Sequence, residues 1–145
     1  MDGINATITR FGYPATLVAD YGHWVVLLRP EQPTLGSLVL AARGEAQAFG
    51  ALPAEAFAEL AQLTPALERA LAAAVAFEKL NYLMLMMVDP HVHFHVIPRY
   101  SGVRDFAGIE LADHGWPKAP QLSPAVTLEP AARDALIARL KEGWA

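Results

Sequence analysis

The 145-residue chain has no cysteine. Disulfides and cysteine-ligated zinc sites are therefore excluded. Charge is also sparse. Charged residues make up 18% of the chain, with a net charge of −4 and an isoelectric point near 5.7, whereas a nucleic-acid-binding domain would show a basic footprint with a value above about 9. Nucleic acid is thus not an expected partner, although a small anion can still bind at a locally positive site. No apolar run approaches the roughly 20 residues needed to span a bilayer. The most apolar one, Tyr82 to Val88, is long enough only for a buried strand. Met1 to Thr7 have neither the charged start nor the apolar core of an export signal. The expectation is a soluble cytoplasmic protein. With 54% hydrophobic residues, it is expected to fold as one globular domain over residues 1–145.

The apolar pattern gives a coarse element order. Ile4 to Arg10 alternates and reads as an edge strand ended by Gly12-Tyr13-Pro14. Thr16 to Ala19 reads as a second strand. Trp24 to Leu28 is apolar on both faces and therefore central, and Arg29 to Gly36 is a loop leading to a strand over Ser37 to Ala41. Antiparallel pairing of these two is the economical connection. Pro53 to Phe77 reads as a long helix, with Phe57, Leu60, Leu67, Leu71 and Val75 toward the sheet. Pro65 predicts a kink or break in it. Leu80 to Val88 reads as a buried strand in which Met84, Met86 and Met87 fill the core. His91 to Ile97 is the final strand. Beyond Tyr100, glycines and prolines over Ser101 to Thr127 read as an extended surface segment, followed by a helix over Glu129 to Trp144. The sum is an α+β domain with an antiparallel sheet, a core over about residues 1–100 and a C-terminal extension over 101–145.

The chemistry concentrates in one segment. His91, His93 and His95 alternate with Val92, Phe94 and Val96, and these three are drawn from only five histidines in the chain. On a strand this spacing lines the imidazoles along one face, roughly 6.6–7 Å apart, with the apolar partners in the core. Each imidazole can take or give a proton near neutral pH. Two functional readings follow from the residues. One is a metal site, since His-x-His supplies ligands for zinc or iron. The other is nucleophilic and acid–base catalysis, one imidazole attacking while its neighbours orient it or handle protons. A purely structural polar patch is the third, disfavoured because three adjacent imidazoles are costly to desolvate.

The string His91-Val92-His93-Phe94-His95-Val96-Ile97-Pro98-Arg99 resembles the signature of the histidine triad family. The stretch Trp24–Pro30 through Leu35–Leu40 is similar to that family's central hairpin, and the helix after it to its long helix, so the resemblance covers about Gly22 to Tyr100. It implies the family's α+β fold and a homodimer in which two sheets join. It also implies a small-molecule nucleotide substrate and no cofactor or metal. His93 would attack an α-phosphorus and carry the nucleotidyl group until water removes it. His95 would contact the phosphoryl oxygens and assist the leaving group, and His91 would hold the row in orientation. For His93 to attack, its other nitrogen needs an acceptor such as a backbone carbonyl.

Two departures from the family pattern bear on the substrate. Where relatives carry a Gly-Gln-Ser/Thr-type phosphate segment, this chain has Met86-Met87-Val88-Asp89-Pro90. Asp89 would repel a phosphate or hydrogen-bond a histidine. Where relatives place Asp or Asn to grip ribose, this chain has Leu28 and Arg29. The planar fork of Arg29 suits a phosphate. Arg99, at the strand exit, and Asn81 complete the candidate binding residues. The expected function is a hydrolase or transferase that releases a nucleoside monophosphate from a phosphoester, phosphoramidate or dinucleoside polyphosphate. The alternatives are a nucleotide-binding regulatory protein with weak or lost catalysis, and a metal-dependent hydrolase with the three histidines as ligands.

Overall fold

Trp24–Leu28 and Leu38–Ala42 are apolar at every position because the sheet they form is covered on both faces. The computed structural model describes residues 2–144. In chain order its elements are helix α1 (Ala6–Arg10), strands β1 (Leu17–Asp20), β2 (Trp24–Leu28), β3 (Glu31–Gln32) and β4 (Leu38–Ala42), helix α2 (Ala54–Val75), strands β5 (Lys79–Leu83), β6 (His93–Arg99), β7 (Val103–Phe106), β8 (Ile109–Ala112) and β9 (Val126–Thr127), and helix α3 (Pro130–Gly143). The main sheet has the order β1-β2-β4-β6-β5, with every neighbouring pair antiparallel. This is the α+β architecture expected from the sequence.

The register sorts side chains between the two faces. Trp24, Val26, Leu28, Leu38, Leu40 and Val96 join the core beneath α2 and α3, while Val25, Leu27, Val39 and Ala41 pack with Ile8 and Phe11 on the opposite face. The indole N–H of Trp24 donates to the carbonyl of Ala56 at 2.8 Å, tying β2 to the first turn of α2.

Several expectations are corrected. Ile4–Arg10 is not an edge strand. Asn5 caps a helix there: its side chain accepts from the N–H of Ile8 at 3.0 Å and donates to the carbonyls of Ala42 and Gly44. The adjacent residues Thr7 and Ile8 are both buried, which a half-exposed strand does not allow. Pro65 does not break α2, which runs unbroken through it. Pro65 and Ala61 both face solvent, so the Ala61 carbonyl left without an intrahelical donor is open to water. Phe57 lies on the exposed side of α2 rather than against the sheet.

β5 is a half-exposed edge strand and ends at Leu83. Beyond it, Met86 takes a left-handed backbone (φ 54°), and Leu85, Met87 and Val88 are exposed. Of the three methionines, only Met84 and Met86 pack against the core. The segment after Tyr100 also differs from an extended surface stretch. It forms the β7–β8 hairpin, and Phe106, Leu111 and Leu128 enter the same core as the sheet, joined by Leu136, Ile137 and Leu140 of α3. Tyr100 anchors it, its hydroxyl accepting from the N–H of Leu35 (2.9 Å) and donating to the carbonyl of Leu111 (3.2 Å).

Candidate active site

The three histidines are presented as the alternation requires. His91, His93 and His95 are all buried on one side of the chain, with Val92, Phe94 and Val96 packed into the core on the other. His93 and His95 lie within β6, while His91 sits just before it. The Val92 carbonyl accepts from the N–H of Ala42, so this pre-strand stretch is held to the end of β4. His93 and His95 lie opposite Ala41 and Val39 in the register. Their rings are nearly perpendicular, with centroids 5.0 Å apart.

Each imidazole has a distinct environment. His93 Nδ1 donates to the backbone carbonyl of His91 at 2.7 Å. In the neutral ring this leaves Nε2 with the free lone pair, so the acceptor required for a nucleophilic imidazole is present. His91 lies between two groups that the sequence reading missed. Its Nδ1 is 2.8 Å from Thr7 Oγ1 and its Nε2 is 3.1 Å from a carboxylate oxygen of Glu45. His95 Nδ1 is buried with no hydrogen-bond partner among the described residues. Burial, the nearby Arg29 guanidinium and His93 together lower the His95 pKa to about 4, so this ring is neutral at pH 7.

Phe11, from the end of α1, covers the pair, its ring centroid 5.7 Å from both His93 and His95. Nothing in the apolar pattern identifies Phe11, Thr7 or Glu45, although the Asn5 cap signal marks the helix that carries the first two.

A cavity of about 360 Å³ opens beside His95, lined by Arg10, Phe11, Arg29, Pro30, Glu31 and Asp89. Two sequence candidates, Arg29 and Asp89, therefore meet His95 here. Arg29 donates to the carbonyl of Glu31 at 2.7 Å, its Nε is buried without a partner, and burial lowers its pKa. Asp89 does not hydrogen-bond a histidine. It pairs with Arg10 at 3.1 Å.

The other two candidates are brought together elsewhere. Arg99 and Asn81 line a separate cavity of about 480 Å³ with Lys79, Trp116 and Lys118. The Arg99 guanidinium makes four hydrogen bonds there, to both carboxylate oxygens of Asp113 (2.6 and 3.2 Å), to Asn81 Oδ1 (2.7 Å) and to the Lys118 carbonyl (2.8 Å). It clamps the C-terminal segment to β6 and β5.

No protein-family model and no curated protein matches the chain. Solved structures do. The chain is similar to a histidine triad protein from Bradyrhizobium japonicum, with 20% identity over 97% of this chain and 96% of that one at a TM-score of 0.75. It is similar to one from Sinorhizobium meliloti, with 22% identity over 96% and 94% at a TM-score of 0.75. A zinc-bound histidine triad family protein from Mycobacterium smegmatis matches at 18% identity over 93% and 90%, with a TM-score of 0.59. The chain thus has the histidine triad fold, and the fold and the His-x-His-x-His row agree.

Proposed function

We propose that the protein is a nucleotidyl hydrolase or transferase working through a covalent intermediate on His93. The observation that carries this reading is the bond from His93 Nδ1 to the His91 carbonyl, which in the neutral ring leaves the Nε2 lone pair free; His95, packed against His93, lines a cavity with Arg10 and Arg29. Nε2 attacks the α-phosphorus, the bond to the leaving group breaks, and the leaving group takes a proton. Water then attacks the same phosphorus, the phosphorus–nitrogen bond breaks and a nucleoside monophosphate departs.

His95 carries the proton in both halves. Its ring is neutral when the site is empty, but an anionic substrate placed against it opposes the influence of Arg29 and raises its pKa. Substrate binding thereby recruits the proton that the leaving group needs. Water returns one in the second step, so the balance closes. Among the described residues Arg29 Nε and His95 Nδ1 have no partner, and as N–H donors both would be satisfied by phosphoryl oxygens.

The chain's own donors favour this reading over three histidines on one metal ion. His93 Nδ1 is committed to a carbonyl and both nitrogens of His91 have partners. Among the described residues no three His, Cys, Asp or Glu side chains converge to hold a metal. The test is turnover of a nucleotide panel in excess EDTA, with adenosine and guanosine phosphoramidates and dinucleoside polyphosphates. Turnover in chelator that is lost in His93→Ala supports the reading. Binding without turnover favours the regulatory alternative, and activity only with added metal overturns the covalent mechanism.

We also infer a homodimer. Among the described residues the edge strand β5 has no neighbour on its outer side, and the exposed Leu85, Met87 and Val88 follow it. Sedimentation equilibrium at micromolar concentration checks this.

A further inference from the structure

The mechanism above leaves one buried polar side chain near the triad unused. Thr7, in the middle of α1, is 1% exposed and lies 84 positions before its partner in sequence. Its hydroxyl makes two contacts with His91: Oγ1 accepts the backbone N–H at 3.3 Å and lies 2.8 Å from Nδ1. A hydroxyl has one hydrogen to give. Its oxygen accepts the His91 N–H, and where its hydrogen is given to the nearest partner, Nδ1 is the acceptor. The ring must then carry its own proton on Nε2, which faces the Glu45 carboxylate at 3.1 Å. In this arrangement every polar atom of His91 has a partner: N–H to Thr7, Nδ1 from Thr7, Nε2–H to Glu45, and the carbonyl from His93 Nδ1.

We infer that Thr7 is a positioning residue for the triad, and that it sets the tautomer of His91 and aims the His91 carbonyl at His93. The inference rests on the reading of His93 as nucleophile. Two hydrogen bonds at a single hydroxyl hold both the backbone N–H and the ring of residue 91, on one side of the His91 carbonyl, while the Val92 N–H in the carbonyl's own peptide plane donates to Ala46 at 3.2 Å. The His91 carbonyl in turn selects the His93 tautomer with a free Nε2. Thr7 can do this because α1 is itself held, by the Asn5 bonds to Ala42 and Gly44 and by the burial of Ile8. Thr7 does not line the cavity beside His95, so it acts through His91 and not on substrate.

Long-range proton–nitrogen NMR of the histidine rings tests this without any substrate. In the native protein we expect His91 protonated on Nε2 and His93 on Nδ1. Finding His91 protonated on Nδ1 instead would make Thr7 a mere acceptor and overturn the inference. In Thr7→Val both rings should become tautomer mixtures, and Thr7→Ser should keep the native pattern. Kinetically, kcat of Thr7→Val should fall about 10- to 100-fold, the usual cost of losing the partner that orients a functional imidazole, with KM within about twofold. Thr7→Ser should stay within about threefold of native. A native-like kcat in folded Thr7→Val overturns the inference, as does an equal loss in Thr7→Ser. If Thr7→Val does not fold, the native spectrum and the serine variant still decide. If the native protein turns over no nucleotide, the hydrolase reading fails, while the spectra still test the tautomer assignment.

Discussion

Phe11 stands edge-on to His95, its ring centroid 5.7 Å away at an angle of 81°, over an imidazole whose Nδ1 has no partner. The apolar cover and the neighbouring Arg29 cation both oppose protonation of His95 and lower its pKa from 6.5 to about 4. The sign of the consequence follows from proton linkage. Between about pH 6.5 and pH 4 the unfolded chain binds a proton at this residue and the folded one does not, so stability rises with pH across that window. Acid therefore weakens the native state below about pH 6.5. The slope of unfolding free energy against pH, measured by denaturant titration, should be shallower in His95→Asn over the same window.

The buried pair of Arg99 and Asp113 is a structural clamp. Arg99→Met leaves the Asp113 carboxylate buried without its cation, and breaking a buried pair in this way costs about 3–5 kcal/mol. Urea unfolding should show a loss of that order. In the fraction still folded, KM for nucleotide should be unchanged, because this pair lines a different cavity from His95.

Pro65 lies mid-helix on the solvent side of α2. Proline is about 3 kcal/mol worse than alanine in a helix interior, and hydration of the freed carbonyl offsets part of this. Pro65→Ala should raise stability by about 1–3 kcal/mol, read as an increase in Tm, without altering activity.

Asn5 supplies both the cap of α1 and its attachment to the end of β4. Asn5→Ala should cost about 1–2 kcal/mol. It should also lower activity beyond its effect on stability, because α1 carries Thr7 and Phe11 against the triad. Hydrogen exchange at Ile8 and Thr9 should rise in step with the loss of turnover.

The sheet and the histidine row were legible in the sequence because both obey simple periods. β2 and β4 are apolar throughout, since each has a covered sheet on both faces, and His91–Ile97 alternates because one face is core. The failures have equally local causes. Ile4–Arg10 alternates by coincidence, and the competing signal, the Asn5 side chain three residues before the N–H it accepts, decides for a helix. Leu80–Val88 is apolar enough for a core strand, but the strand ends at Leu83, and Leu85, Met87 and Val88 beyond it are exposed. Arg99 and Asn81 resembled binding residues by position in the chain, yet Asp113, 14 positions further on, claims the guanidinium. Thr7 and Glu45 reach His91 across separations of 84 and 46 residues, and no local pattern reports contacts of that range.

The central claim is that the lone pair on His93 Nε2 makes a covalent bond to phosphorus. The most direct measurement is intact-mass spectrometry of native protein and His93→Ala, acid-quenched within milliseconds of mixing with an adenosine phosphoramidate in EDTA. The account predicts a mass gain equal to one adenylyl group on the native protein, mapped by fragmentation to His93, forming no more slowly than steady-state turnover and absent from the variant. Turnover by native protein with no adduct at any time, or an adduct that survives in His93→Ala, would contradict it.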